Sequence, residues 1–171
     1  ECGGSAYYEV LERMSGAARD LLLGANVPRP DFGDVAGRLR FVLSAIDAGL
    51  VRACHDISDG GLLLALFEMT LPQRAVGGEV GVEVDLEALG SSLRTDLLLF
   101  SQSQGFVLEV DPAREAELRA LGGKIDLWKI GATAAEPRLR VRRGPLALLD
   151  APLQDLRATW RDALPARLDR D

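Results

Sequence analysis

Apolar residues recur along the first third of the chain with helical spacing. Positions three and four residues apart predict a helix over residues 6–19 and a second helix over residues 34–48, which ends at Gly49. Glycines and prolines between them predict an internal loop over residues 24–33. The second helix is expected to bury one apolar face, formed by Val35, Leu39, Val42, Leu43 and Ile46.

The rest of the chain alternates between strand and helix patterns. Residues 50–54 predict a short buried strand in which Cys54 is a buried thiol, and residues 60–71 predict a helix that is apolar on most sides. The remaining predicted elements are strands at 80–86, 106–110 and 124–130, helices at 112–121 and 153–164, and a hairpin at 139–149. This alternation predicts the α/β or α+β class, with a mixed sheet covered by helices in a single domain over residues 1–171.

Composition narrows the class of protein and its partners. A formal net charge of −6 argues against a nucleic-acid partner, because binding to a phosphate backbone needs a basic surface. The apolar runs are too short to span a bilayer, so no membrane association is expected, and no signal peptide is visible. The 2 cysteines are too few for a disulfide framework. We therefore expect a cytoplasmic protein, and the first residue, Glu1, suggests a fragment of a longer chain.

The segment HDISDGGL at residues 55–62 carries the clearest chemistry. It links a predicted buried strand to a buried helix, and a helix N-terminus with glycines suits a phosphate group. Asp56 beside such a site would repel phosphate unless a cation lay between them, and Mg²⁺ binds through one or two carboxylates together with phosphate oxygens. Asp56 is therefore a candidate Mg²⁺ ligand and Ser58 a candidate phosphate or ribose donor.

The same segment has a purely structural interpretation. It could be a capped turn in which Ser58 or Asp59 accepts from the first helical N–H groups, while Gly60 and Gly61 allow close packing. His55 is the single histidine and has a structural interpretation too. The sequence shows no nucleophile–base pair and no metal cluster, so no catalytic residue is assigned.

Four ordered motifs resemble phosphoribosylformylglycinamidine synthase. HDISDGGL is followed by ALFEM at 65–69, and LFSQSQG at 99–105 is similar to the family's LFSESQGR stretch. GGSAY at 3–7 is similar to its GGSEY, and LRATW at 156–160 to its LRxxW. The resemblance covers nearly the whole chain and implies the C-terminal lobe of the second half of that enzyme, with a fold like the C-terminal domain of aminoimidazole ribonucleotide synthetase.

This resemblance implies an ATP-dependent ligase of purine biosynthesis that converts phosphoribosylformylglycinamide, glutamine and ATP to phosphoribosylformylglycinamidine. It implies Mg²⁺ and ATP or ADP as cofactors, with Asp56 on the metal and the nucleotide contacted by Ser58, with Asp59, Gly60 and Gly61 as further candidates. The implied partners are the missing ATP-lobe of the same polypeptide and a glutaminase subunit or domain. The fragment alone is then expected to be inactive, and its end at Asp171 favours the small form with a separate glutaminase.

Two departures keep alternatives open. Gln102 stands where the family has Glu, and Phe106 stands where Arg is usual, which fits a pseudo-active site in which residues 101–104 are not expected to bind substrate. One alternative is a scaffold lobe that binds no nucleotide. The other is a small-molecule kinase or synthetase of the same fold, such as thiamine-phosphate kinase, which shares a DxSDGL string but lacks the LFSxSQG partner.

Overall fold

A computed structural model describes residues 2–15, 27, 32–71, 79–103, 105–163 and 165–168. The chain divides into two compact units, one formed by Glu1–Met69 with Leu93–Leu127 and the other by Thr70–Ser92 with Trp128–Asp171. The single domain expected over residues 1–171 stays a prediction. In chain order the elements are α1 (Ala6–Ser15), α2 (Phe32–Asp47), β1 (Val51–Asp56), α3 (Gly61–Glu68), β2 (Gly81–Asp85), α4 (Thr95–Phe100), β3 (Phe106–Val110), α5 (Glu115–Gly122), β4 (Gly131–Ala134), β5 (Arg138–Arg143), β6 (Leu146–Pro152), α6 (Leu153–Asp162) and α7 (Pro165–Leu168), with 3₁₀ helices at Leu86–Leu89 and Pro112–Arg114.

The mixed α/β class is confirmed, and so are most of the predicted elements within the described residues. The loop predicted over 24–33 lies largely outside them, and α2 already begins at Phe32. The strand predicted over 124–130 is wrong. That segment bonds to the end of α5 instead: Ile125 N–H donates to the Gly122 carbonyl (2.9 Å), and Arg119 donates to the Leu127 carbonyl (3.1 Å).

The core of the first unit lies between α2, α5 and a two-stranded sheet. β1 and β3 pair antiparallel, with Asp56 opposite Phe106 at the end of the ladder. The buried cluster consists of Phe41, Val42, Ala45, Leu50 and Leu118, against which β3 and the segment after α5 pack their apolar side chains. Burial of these side chains is the main favourable term for this unit.

The predicted buried face of α2 is wrong in three of its five positions. Leu39, Leu43 and Ile46 are 45%, 61% and 47% exposed, whereas Phe41 and Ala45 are buried with Val42. The helix has apolar residues on two sides, and the small Ala45 with the large Phe41 forms the side that packs on the sheet. Periodicity alone could not choose between these two sides.

Cys54 was predicted to be a buried thiol, and this is wrong as well. Side chains along β1 alternate between partly buried and exposed, so Cys54 shares the exposed face with Arg52 and Asp56. Cys2 is the buried cysteine, and burial raises the pKa of its thiol.

The second unit is built on a four-stranded mixed sheet. Its strand order is β4-β2-β5-β6, in which β2 and β5 are parallel and the other neighbours antiparallel. One side of β5 buries Leu139 and Val141. The other side carries arginines paired with acidic residues of β2 and β6, as in the contact of Arg140 with Glu83 at 2.8 Å. Within the described residues, no helix combines the length and apolar character that crossing a bilayer requires.

Arg157 on α6 makes partly buried polar contacts within the second unit, so its loss should be measurable. Its guanidinium donates to the carbonyl of buried Thr70 (2.7 Å) and pairs with Glu79. Hydrogen bonds from a charged group contribute about 1.5–3 kcal/mol, so Arg157→Ala is expected to lower the free energy of unfolding by that order. Arg161→Ala is the control, because its side chain is 73% exposed. Equal urea midpoints for the two variants would contradict this assignment.

Candidate functional site

The HDISDGGL segment begins at the end of β1 and leads into α3. Asp56 is the last strand residue, and its side chain is 64% exposed. The N–H of Ile57 donates to the carbonyl of Gly105 (2.9 Å), which holds the start of the turn against the strand partner. Ser58 and Asp59 are exposed at the tip of the turn. The segment therefore presents a carboxylate and a hydroxyl two residues apart on a turn anchored at its base.

His55 ties this strand end to the far end of α3. Its Nδ1 lies 2.7 Å from the carbonyl oxygen of Asp56, and its Nε2 lies 3.3 Å from a carboxylate oxygen of Glu68, the last residue of the helix. The side chains of His55 and Glu68 are both 27% exposed. Both ring nitrogens therefore face oxygen atoms of the protein, one at the end of β1 and one at the end of α3.

The start of α3 is packed closely rather than capped by a side chain. The predicted cap from Ser58 or Asp59 is wrong: Gly60 precedes the helix with φ +80° and no side-chain cap, and Gly61 N–H donates to the backbone oxygen of Ser58 (3.0 Å). A Cβ on Gly61 would lie 2.6 Å from the Leu99 carbonyl oxygen. Close packing by Gly61, the other part of the structural interpretation, is confirmed.

Gln102 joins three of the four motifs, a contact that sequence reasoning missed. When the side-chain amide is oriented so that its oxygen and its nitrogen both have suitable partners, the Gln102 oxygen accepts from the N–H groups of Gly60 (3.2 Å) and Ala6 (3.3 Å). Next to it, the ring of Tyr7 stacks on Phe100 with centroids 4.3 Å apart. The motifs at 3–7, 55–62 and 99–105 therefore meet in one place, and the order of the motifs was the only signal for it. Gln104 lies outside the described residues.

A charged pair supports the same junction. The Tyr7 hydroxyl donates to Asp96 (3.3 Å), and Arg94 pairs with the same carboxylate. Burial alone would raise the pKa of the Asp96 carboxyl, but hydrogen bonds from Arg94, the Leu97 N–H and Tyr7 outweigh it and hold the pKa below its usual range. Asp96 is therefore a structural carboxylate of the junction.

Asp56 also lines a shallow pocket of about 200 Å³. The described residues contain no cluster of three or more His, Cys, Asp or Glu side chains that could hold a metal. A cation at Asp56 would therefore need most of its ligands from a bound molecule, as Mg²⁺ does with nucleotide phosphates. The other residues that line the pocket are Val35, Arg38, Ile57, Gly105 and Phe106.

The fourth motif lies in the second unit. LRATW at 156–160 is part of α6, where Arg157 bonds to the Thr70 carbonyl and Trp160 is 53% exposed. Its clearest role is therefore to hold α6 on its own unit.

The fold defines the class of this protein. It is an α/β chain of two units, with a glycine-rich turn between β1 and α3. Residues 1–144 match the family model described as AIR synthase related protein, C-terminal domain. The chain belongs to this family.

Within that family, the chain is similar to the phosphoribosylformylglycinamidine synthase subunit PurL. The Methanothrix thermoacetophila subunit is 31% identical over 166 residues, which is 96% of this chain and 20% of that protein. The Thermoplasma volcanium subunit is 36% identical over 117 residues, or 68% and 14%. The chain thus spans about a fifth or less of these relatives.

Solved structures of Thermotoga maritima PurL share the fold. The structure complexed with FGAR has a TM-score of 0.69 at 19% identity and is matched over 91% of this chain and 26% of that one. The structure complexed with ATP has a TM-score of 0.59 at 20% identity, over 69% and 20%.

Proposed function

We propose that this chain is the C-terminal lobe of a phosphoribosylformylglycinamidine synthase, an ATP-dependent ligase of purine biosynthesis. The observation that carries the proposal is the junction at Gln102, where three motifs of that enzyme, widely separated in sequence, come together. The similarity to PurL subunits over nearly the whole chain supports it. The parent enzyme would convert phosphoribosylformylglycinamide, glutamine and ATP to phosphoribosylformylglycinamidine.

The role proposed for this lobe is to hold an auxiliary Mg-nucleotide. Asp56 fits a metal ligand because its carboxylate is exposed at a strand end and pairs with no arginine or lysine among the described residues. Ser58 fits a hydroxyl donor because it is exposed two residues further along the turn. When bound, Mg²⁺ would neutralise phosphate charge beside the carboxylate. Thermotoga maritima PurL has been solved with ATP, ADP and AMPPCP.

Asp59, Gly60 and Gly61 are secondary candidates for the same ligand. Asp59 is exposed at the tip of the turn. The N–H of Gly60 already donates to Gln102, and the N–H of Gly61 donates to Ser58. The contribution proposed for the two glycines is therefore their lack of a side chain, which lets a ligand approach the backbone.

The proposed surroundings follow from the parent enzyme. The lobe would work in the cytoplasm beside an ATP-lobe of the same polypeptide and with a glutaminase, and would be inactive alone. One of the similar solved structures is of PurLQS from Thermotoga maritima, which fits an assembly with further subunits.

A scaffold lobe that binds no nucleotide is the second candidate. The observation that favours it is the internal use of the Gly60 and Gly61 N–H groups, which removes two donors from a phosphate site at α3. An absence of nucleotide from the intact purified protein, together with no measurable binding of MgADP, would support the scaffold.

The test of the nucleotide role is Asp56→Asn in the full polypeptide that carries this chain. Loss of a metal-binding carboxylate is expected to weaken MgADP binding on the order of 10–100-fold and to abolish the difference between ADP binding with Mg²⁺ and with EDTA. Asp126→Asn is the control, because this carboxylate is exposed in the same unit and does not line the pocket. Calorimetry and the nucleotide content after purification give the readouts. Unchanged binding in Asp56→Asn would overturn the ligand role.

A further inference from the structure

Ile57 is the inward-facing residue between the two main candidate ligands of the turn. Asp56 and Ser58 are exposed on either side of it, whereas Ile57 is partly buried and lines the pocket. This is the alternation of an extended chain, in which neighbouring side chains point in opposite directions. The placement of Ile57 against the protein therefore sets where the carboxylate and the hydroxyl lie.

Gly105 holds Ile57 by two contacts. The antiparallel ladder of β1 and β3 ends at Asp56 opposite Phe106, and the hydrogen bond from the Ile57 N–H to the Gly105 carbonyl (2.9 Å) continues it by one residue. The Ile57 side chain also packs on Gly105, because a Cβ there would lie 3.1 Å from Ile57 Cδ1 and 3.8 Å from its Cγ1. Ile57 thus occupies the space that a side chain at residue 105 would need.

The need for glycine at residue 105 comes from this packing and not from the backbone. Gly105 lacks the positive φ found at Gly60 and Gly61, so alanine can adopt its conformation. A separation of 3.1 Å is shorter than the ordinary contact of about 3.5–4.0 Å between carbon atoms, so a methyl group at residue 105 would push Ile57 outward. Branching at Cβ makes isoleucine stiff at χ1, so part of this displacement passes to the backbone that carries Asp56 and Ser58.

We propose that Gly105 and Ile57 are positioning residues for the Mg-nucleotide, which hold the Asp56 carboxylate and the Ser58 hydroxyl where the ligand requires them. This assignment rests on the proposed nucleotide role of the lobe. Binding side chains need to be held to within about 0.5 Å, and Gly105 supplies this precision by acting through Ile57. The glycine of the LFSQSQG motif then serves the site formed by the HDISDGGL motif.

The test measures MgADP binding to Gly105→Ala, Ile57→Val and the double variant in the full polypeptide that carries this chain. Gly105→Ala is expected to weaken binding on the order of tenfold, as loss of a group that orients a metal ligand does. Ile57→Val removes Cδ1, the atom that the new methyl group would meet, and alone should change binding less than Gly105→Ala does. The double variant should bind at least about threefold more tightly than Gly105→Ala, because residues in contact do not act independently.

Gly122→Ala is the matched control for packing strain. Gly122 is the last residue of α5 in the same unit, lacks a positive φ and does not line the pocket, and a Cβ there would lie 3.0 Å from Leu127 Cδ1. Overpacking should lower the urea midpoint of Gly122→Ala, while its MgADP affinity stays that of the unaltered protein. A loss of affinity equal to that of Gly105→Ala would indicate a general disturbance of the fold and overturn the proposal.

The Mg²⁺ dependence of ADP binding is the second readout, because a displaced Asp56 acts on the metal. In Gly105→Ala, the difference between ADP binding with Mg²⁺ and with EDTA should become smaller. An unchanged difference would overturn the proposal, and so would a double variant that binds no better than Gly105→Ala. If Asp56→Asn loses MgADP affinity while Gly105→Ala does not, the positioning role fails and the nucleotide role stands. If Asp56→Asn leaves binding unchanged, the nucleotide role fails and the positioning role fails with it.

Discussion

Phe41→Ala is expected to lower the free energy of unfolding by about 3–5 kcal/mol, because it removes the largest side chain of the first unit's buried cluster. The ring is 7% exposed, and a Cβ on Gly122 would lie 3.4 Å from its edge, so α5 packs directly against it. Truncation would leave a cavity between α2 and α5. Urea unfolding of the protein, followed by far-UV circular dichroism, measures the change.

Leu43→Ala is the control for Phe41→Ala on the same helix. Its side chain is 61% exposed, so the expected change is within about 0.5 kcal/mol. The periodicity of the sequence predicts the opposite, since it assigns Leu43 to the buried face. A cost at Leu43 equal to that at Phe41 would contradict the orientation of α2 in which Phe41 faces the sheet.

Gly61→Ala is the second substitution with a large expected effect. Gly61 has φ +69°, and a Cβ there would lie 2.6 Å from the Leu99 carbonyl oxygen and 2.7 Å from the Cα of Phe100. The left-handed backbone costs about 1–2 kcal/mol for alanine, and displacement of α4 adds about 1–3 kcal/mol. We expect a total loss of roughly 2–5 kcal/mol, measured by the same unfolding experiment.

Two further glycines separate these contributions. Gly90 has φ +59° and ψ +24°, which is the left-handed region, and a Cβ there would meet nothing within 4 Å, so Gly90→Ala tests the backbone strain alone and should cost about 1–2 kcal/mol. Gly37 lies within α2 with open space around it, so Gly37→Ala should stabilise the protein by about 0.4–1 kcal/mol. If Gly61→Ala costs no more than Gly90→Ala, the close approach of α3 to α4 is wrong.

The sequence determined the features that depend on neighbours along the chain. The alternation of apolar residues over 80–86 predicted β2, and Gly144 between two strand patterns predicted the β5–β6 hairpin. The segment from His55 to Leu62 was recognisable for the same reason, since a strand, a turn and a helix follow one another within a few residues. Asp56 and Ser58 could therefore be identified from their spacing as candidate ligand-binding residues.

Tertiary structure decided which of several locally acceptable arrangements is adopted. α2 carries apolar residues on two sides, and only packing against α5 and the sheet selects the side with Phe41 over the side with Leu43. Residues 124–130 have a strand-like pattern, yet the N–H of Ile125 and the carbonyl of Leu127 form hydrogen bonds with residues of α5 instead of with a neighbouring strand.

The tertiary structure also decided the surroundings of the candidate site. Gln102 meets Gly60 although the two are far apart in sequence, and Arg38 and Asp56 reach one pocket from a helix and a strand. The sequence by itself determined the turn that carries Asp56 and Ser58. The tertiary structure alone decided what packs against that turn and which cationic side chain lies beside it, because hydrogen bonds and charges act through space and not along the chain.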